Sequence, residues 1–415
     1  MRGGSPPLTA WPRAVRREGS AIDSPRRHPV HRLGDTGPTV AEIRRKLVIL
    51  ELLPDPGEAL PDPDEAVFDQ PCDRAVRHFQ QQRGLNVDGL VGRETSDALE
   101  EARWRLGDRV LSHQVSRMLR GDDVAALQRR LLDMGFNCGR VDGIFGPDTA
   151  VALREFQRSL GVTPDGTCGP DTFRALDRLT RTVVGGHAQN LREAEAMARS
   201  GPRLGNKVIV IDPGHGGLDH GNVANGLTEA SIVEDLAARI EGRLIVTGVQ
   251  AHLTRAIHAQ HARALDDESR AAKANELRAD LFISLHVDGH ASPQANGVAT
   301  YFFGTDRFGQ SSAMGERFAD LVLREIVART DLLNCGTHGK TWDLLRRTRM
   351  PAVRLDLGYL TNPGDAAKLA DPAFRDVVAE AVLVAVQRLY LPPDDDAPTG
   401  ALRLDGLWAE SGVRG

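Results

Sequence analysis

One pattern occurs twice in the first half of the chain, and it constrains the fold more than any other feature. The segment AVRHFQQQRGLNVDGLVGRETSDAL begins at Ala75, and ALREFQRSLGVTPDGTCGPDTFRAL begins at Ala152. Equivalent Phe, Gln, Asp, Gly, Thr and Leu positions lie 77 residues apart, as Phe79 and Phe156 do. A recurring pattern of this kind marks a recurring structural unit. We therefore predict two copies of one small domain, at residues 33–104 and 105–180.

Each copy carries the helix and turn signals of a three-helix bundle. In the second copy we expect Asp122 or Asp123 to cap the first helix and Gly135 to end it. The turns VDGIFGPDT and DGTCGPDT then lead into a second and a third helix. Glycine suits these turns because it tolerates a positive φ. The repeated Phe and Leu positions are expected to form the cores of the two bundles.

The two copies resemble the peptidoglycan-binding modules that accompany cell-wall hydrolases. The resemblance, and not the spacing of the residues, implies that they bind the peptide stems of peptidoglycan or of its precursors.

The second half of the chain alternates strand patterns with helical patterns. Apolar strand candidates lie at residues 208–211, 249–253, 281–285, 298–303 and 352–357, with helical patterns at 229–246 and 313–328. Such alternation predicts a three-layer α/β domain over residues 207–391. A linker at 181–206, with one short helical stretch, joins it to the all-α repeats, so that the chain as a whole is multidomain.

Four polar side chains lie at the ends or edges of these α/β elements: His215, Glu229, His286 and Asp356. Two histidines and a carboxylate are a common ligand set for catalytic zinc, which polarises a carbonyl and lowers the pKa of water toward ~7. Each residue also has an ordinary structural explanation. A histidine at a strand end is usually packed, and a glutamate at a helix start interacts with the helix dipole. Their separation in sequence alone does not establish a site.

Residues 207–391 resemble the zinc-dependent N-acetylmuramoyl-L-alanine amidases of the type-3 family. The matching stretches are VIVIDPGHGG, GLTEASI, LTRA, SRAAKAN, ADLFISLHVD, NGVATYFF, MPAVRLDLGYLTNPGD and AAKLADPAF. The resemblance implies that His215, Glu229 and His286 bind Zn²⁺. It also implies hydrolysis of the amide between the lactyl group of N-acetylmuramic acid and the first L-alanine of the stem. Arg270 and Asn275 match family positions, and we expect them to support the site structurally.

Two departures from the family pattern bear on activity. The family motif P-A-V-L-x-E-x-G-F has a catalytic glutamate where this chain has Asp356, which is one methylene shorter. The family's S-I-H-x-N has an asparagine where this chain has Asp288, which either supports the ligands from behind or compensates as a base. Since a general base must reach its proton, a retracted carboxylate predicts reduced activity.

The N-terminal segment suggests a second function. Residues 1–32 contain seven Arg and several Pro, without the apolar core of a secretory signal, and are predicted to be a disordered basic arm. Residues 392–415 are predicted to be a flexible tail. The expected location is cytoplasmic, or extracellular if the start site is misassigned. The alternative is therefore a cytoplasmic amidase-like regulator, which binds precursors or a precursor-synthesis enzyme and is controlled by a Ser/Thr kinase acting on the arm.

Composition excludes several other classes of protein. The formal net charge of -5 argues against a nucleic-acid binder with a broadly basic surface. No apolar run reaches the ~18–20 residues of a membrane span. Four scattered cysteines are too few for a disulfide scaffold and are expected to be reduced, although Cys138 and Cys168 could pair after export.

Overall fold

The computed structural model describes residues 29–55, 62–114, 118–180, 188–256, 265–305 and 310–391. The predicted tail and the predicted basic arm, apart from its last four residues, lie outside this part of the chain.

The first repeat is a bundle of three helices, α1 (Pro38–Ile49), α2 (Gln70–Arg83) and α3 (Arg93–Ala102). The second repeat consists of α4 (Asp122–Asp133), α5 (Pro147–Ser159) and α6 (Pro170–Thr180). The repeated Phe79 and Phe156 are almost fully buried, each in the core of its own bundle. The expected aspartate cap is wrong, because α4 begins directly after Gly121, which is the N-cap residue.

A buried glutamine explains why the polar residues of the pattern recur. The Gln80 side-chain amide donates to Asp88 Oδ1 (2.8 Å) and Thr95 Oγ1 (3.1 Å), and Gln80 Oε1 accepts from Gly89 N (2.9 Å). In the second repeat, Gln157 makes the same bonds to Asp165, Gly166 and Thr172. Each glutamine thus ties a helix to the following turn and to the start of the next helix.

Within the described residues, the α/β domain contains a seven-stranded mixed sheet. Its strands are β1 (Val208–Pro213), β4 (Gln250–Leu253), β5 (Leu281–Asp288), β6 (Val298–Thr305), β7 (Gln310–Ser311), β8 (Asn334–Lys340) and β9 (Ala352–Tyr359). The path runs β4-β1-β5-β9-β6-β7, and β8 pairs with β6. The first four strands of this path are mutually parallel, and β6 is antiparallel to β9. A separate hairpin consists of β2 (Val223–Ala224) and β3 (Leu227–Thr228).

The helices of this domain are α7 (Ala188–Ser200), α8 (Glu229–Val246), α9 (Asp267–Glu276), α10 (Ala313–Arg329), α11 (Asp343–Arg347), α12 (Pro363–Ala370) and α13 (Pro372–Tyr390). One sheet face packs against α8, α10 and α13 through a large apolar core. The opposite face packs against α9 and α11 through a smaller one. The strands alternate accordingly: in β9, Leu355 faces the large core, while Arg354 and Asp356 face the other side. Among the described helices, none is long and apolar enough to cross a membrane.

The repeats are docked onto the α/β domain through arginines with little solvent exposure. Arg140, in the second repeat, donates to the carbonyl oxygens of Thr348 and Met350 (2.9 Å each) and pairs with Glu193 on α7 (3.0 Å). From the α/β side, Arg346 pairs with Glu101 on α3 (2.9 Å). These contacts hold both repeats beside the sheet face that α9 and α11 cover only in part.

Candidate metal centre

The first residue of the centre is positioned by a strained loop after β1. His215 has φ 59°, a left-handed conformation that is uncommon for a residue other than glycine. Its ring Nδ1 contacts Asp219 Oδ2 at 2.9 Å, which leaves Nε2 directed at Glu229. A carboxylate that holds one ring nitrogen in this way fixes the orientation in which the other can bind a metal.

Glu229 is the first residue of α8 and is 1% exposed. The side chain of Thr228 caps the helix by accepting from Ser231 N. The backbone N and side-chain amide of Asn222 both donate to Glu229 Oε2 at 3.0 Å, and Val287 N donates to Oε1 at 3.0 Å. The carboxylate is therefore held in place from behind.

The three predicted ligands come together from distant parts of the chain. Glu229 Oε2 lies 3.2 Å from His215 Nε2, and Glu229 Oε1 lies 2.8 Å from His286 Nδ1. One ligand atom from each side chain lies within 4.8 Å of the others, so that the group could hold a metal ion. Two imidazoles and one carboxylate are a donor set that suits zinc and leaves a position open.

Electrostatics affect the three predicted ligands differently, favouring the metal-binding form of Glu229 and His286 but not of His215. Burial alone would raise the pKa of Glu229, but hydrogen bonds with His215 and His286 hold it far below its usual value. Burial and the nearby positive charge of Arg354 lower the pKa of His286, which favours the neutral imidazole that ligates metals. Burial lowers the pKa of His215, but contacts with Glu229 and Asp219 outweigh this effect and leave it raised.

Asp356 lies on β9, directly beside His286 in the parallel register with β5. Both of its oxygens are engaged by one guanidinium: Arg354 Nε donates to Oδ1 at 2.7 Å and Nη2 to Oδ2 at 3.2 Å. Arg354 occupies the position that is leucine in the family motif. The side chain that corresponds to the family's base is thus already in a two-point ion pair.

The remaining predicted residues take different positions. Asp288 faces the same cleft, and burial and the charge of Asp356 raise its pKa although Gly289 N donates to it. Arg270 lies 3.7 Å from the fully buried Asp212 behind the His215 loop. The Asn275 side chain bonds the backbone of Arg347 and Arg349, and so ties α9 to the end of α11 rather than lining the cleft.

Sequence reasoning missed three residues of the site: Asp219, Asn222 and Arg354. A signal existed for each. Asp219 follows His215 by four residues in a glycine-rich loop, and Asn222 lies in the same loop. In β9 the charged residues Arg354 and Asp356 alternate with apolar ones, which places them on one face of the strand.

The centre opens into a cleft of about 610 Å³ that the repeats help to form. The α/β wall carries the three predicted ligand residues together with Asp288 and Asp356. The opposite wall includes one face of α3, with Glu94, Asp97 and Glu101. The site is therefore shared between the two repeats and the α/β domain.

Comparison with known proteins agrees with this architecture. Residues 209–388 match the family model described as N-acetylmuramoyl-L-alanine amidase. Residues 36–99 and 120–176 match the model described as "Putative peptidoglycan binding domain". The chain belongs to the N-acetylmuramoyl-L-alanine amidase family, with two peptidoglycan-binding repeats before its α/β amidase domain.

One relative matches nearly the whole chain. It is the N-acetylmuramoyl-L-alanine amidase CwlM of Mycobacterium tuberculosis, 47% identical over 397 residues, which are 94% of this chain and 97% of that protein. The amidase LytC of Bacillus subtilis is 30% identical over 176 residues, 42% of this chain and 34% of LytC. Among solved structures, the amidase AmiC2 of Nostoc punctiforme is 29% identical, covers 44% of this chain and 96% of AmiC2, and superposes with a TM-score of 0.39.

Proposed function

We propose that this protein is a zinc-dependent N-acetylmuramoyl-L-alanine amidase with attenuated activity, which hydrolyses the lactyl–L-alanine amide of peptidoglycan or its precursors. The observation that carries the proposal is the convergence of His215, Glu229 and His286 within 4.8 Å at the base of a cleft. Family membership and the two repeats supply the substrate class.

The proposed chemistry assigns a role to each side chain. His215, Glu229 and His286 would hold zinc, which when bound polarises the amide carbonyl and activates water. Asp219 and Asn222 keep His215 and Glu229 oriented, and the low pKa of Glu229 keeps that ligand ionised. Asp356 is the carboxylate placed to accept a proton. Its ion pair with Arg354 and its short side chain both limit that role.

The test is hydrolysis of a soluble muropeptide by zinc-loaded protein, scored as release of a new alanine amino terminus. His215→Ala should abolish both zinc binding and hydrolysis. His220→Ala is the matched control, since His220 is exposed, lies in the same loop and is outside the ligand group. Bound zinc without release of alanine by the wild-type protein would reject the activity.

A second function is favoured by the state of Asp356. A carboxylate already bound at both oxygens suits a protein that keeps the amidase fold for binding rather than for turnover. We propose as the alternative a regulatory protein of the cell interior, which binds soluble precursors or an enzyme that makes them and is phosphorylated on its N-terminal arm.

Two measurements separate the functions. The regulator should bind muropeptide precursors yet release no alanine, even after Asp356→Glu restores the family's glutamate. Cell fractionation should place it in the cytoplasm, and recovery of the protein outside the cell would contradict the regulatory function.

A further inference from the structure

We propose that Arg354 is a positioning residue that captures Asp356 and thereby sets how much amidase activity this protein has. The inference rests on the proposed amidase function and deepens it, because it names the residue that controls the base.

The geometry of the pair supports the capture. Arg354 and Asp356 lie two residues apart on β9 and face the same cleft, so that the guanidinium reaches both carboxylate oxygens within one strand. A two-point charge-assisted pair is stronger than a single hydrogen bond and fixes the plane of the carboxylate. With both oxygens bonded to the same guanidinium, the carboxylate has less freedom to turn an oxygen toward a water molecule in the cleft.

Arg354 is itself held in place from its other side. Its guanidinium carbon lies 4.7 Å from the centre of the Trp342 ring, and Trp342 is 8% exposed. The neighbouring Thr341 donates its hydroxyl hydrogen to the carbonyl oxygen of Arg83 at the end of α2 (2.6 Å). The docked first repeat therefore supports the tryptophan that supports Arg354, and the capture belongs to the assembled molecule.

Removing the guanidinium should have two consequences. Asp356 becomes free to accept a proton, so turnover should increase while substrate binding changes little. The cleft also loses a positive charge beside His286, so it should bind a divalent cation more tightly. The second consequence can be measured without any substrate.

The experiment compares Arg354→Leu, which installs the leucine of the family motif, with Arg354→Lys, which keeps the charge. Arg354→Gln serves as a second uncharged variant if the leucine variant does not fold. Arg349→Leu is the control, because Arg349 is an exposed arginine just before the same strand. For each full-length protein, kcat and KM are measured on a soluble muropeptide, and zinc affinity is measured by competition with a chelator.

For Arg354→Leu we expect kcat to rise at least about tenfold with KM within about twofold, and zinc to bind about tenfold more tightly. Arg349→Leu should resemble the wild-type protein. Arg354→Lys keeps the charge but cannot bind both carboxylate oxygens in one plane, so it should keep the zinc affinity of the wild type and show a kcat between those of the wild type and Arg354→Leu. The double variant Arg354→Leu/Asp356→Asn should lose the gain in kcat, because the gain acts through Asp356.

Two results would overturn the capture: a folded Arg354→Leu protein that releases alanine with the kcat of the wild type, or a gain in kcat that survives in the double variant. Failure of the proposed function looks different. Zinc affinity would then shift as expected from the lost charge, while none of the variants, Arg354→Leu included, released alanine, which would reject the amidase activity itself.

Discussion

At the scale of single residues, glycines bring the backbone against the side chains of the predicted metal ligands. A Cβ at Gly214 would collide with the imidazole of His286. A Cβ at Gly221 would lie 2.5 Å from Glu229 Oε2 and 2.7 Å from the His215 ring. These positions are glycine because the side chains of His286 on β5 and Glu229 on α8 occupy the space that a side chain would need.

Gly214→Ala should therefore weaken metal binding. The added methyl group displaces His286, and we expect zinc affinity to fall about 10–100-fold, as when a group that orients a ligand is lost. Chelator competition measures the affinity, with Gly242→Ala as the control. Gly242 lies in the helix that begins with Glu229, and a Cβ there meets open space. Equal affinities for the two variants would contradict this account of Gly214.

At the scale of elements, the buried glutamines explain how such small bundles hold their turns. Gln80 is 1% exposed, and the hydrogen bonds of its side-chain amide connect α2 to the turn after it and to α3. A buried polar group that loses its hydrogen-bond partner destabilises the fold, because it stays removed from water without a hydrogen bond in exchange. The recurrence of Gln, Asp, Gly and Thr was visible in the sequence, whereas its cause required the positions of the side chains.

Gln80→Ala should lower the free energy of unfolding by about 2–3 kcal/mol, because Gly89 N and Thr95 lose their buried partner. The neighbouring Gln81 is exposed, and Gln81→Ala should change stability by less than about 0.5 kcal/mol. Urea denaturation measures both. Similar losses for the two variants would show that the buried bonds do not stabilise the repeat.

An ion-pair network between α8 and α13 should make stability depend on pH. Burial alone would raise the pKa of Asp235, but hydrogen bonds from Arg239 and Arg375 hold it below its usual value. A carboxyl group whose folded-state pKa is lowered stabilises the fold above its unfolded-state pKa. That stability is lost as the pH falls through the folded-state value.

Asp235→Asn should therefore lower the free energy of unfolding at pH 7 by about 1 kcal/mol, a modest figure because the side chain is 38% exposed. The difference from wild type should shrink as the pH falls from about 4 toward 2. Urea denaturation over this range tests it, with the more exposed Glu380→Gln as the control. A difference that did not vary with pH would argue against the ion pairs as its cause.

Element prediction succeeded where periodicity was strong. The helix predicted at 229–246 is α8, with the same bounds. Each predicted strand begins within one residue of the start of an observed strand, namely β1, β4, β5, β6 and β9. Strand β8 was missed because its sequence, NCGTHGK, has no alternation of apolar and polar residues. Strand β8 forms because its backbone pairs in parallel with β6.

At the scale of the whole molecule, the repeats and the α/β domain are joined by buried ionic contacts. Arg140 is 9% exposed and bonds two carbonyl oxygens near β9 as well as Glu193. Removing one partner of a buried ion pair leaves an uncompensated charge. The domains should consequently unfold together.

Arg140→Ala should lower the free energy of unfolding by about 3–5 kcal/mol and separate one calorimetric transition into two. Arg349→Ala is the control, since Arg349 is 65% exposed and lies 3.8 Å from Asp148. Two transitions already present in the wild-type protein would mean that the repeats and the α/β domain are energetically independent.

The sequence by itself determined the two repeats, the alternating α/β elements and the residue types of the candidate metal centre, because each follows from local periodicity or from short motifs. Only the tertiary structure decided that Arg354 pairs with Asp356, that Asp219 and Asn222 orient His215 and Glu229, and that α3 forms a wall of the cleft. These depend on which side chains meet after strands pair and domains dock. Such long-range contacts produce no periodic pattern in the amino-acid sequence.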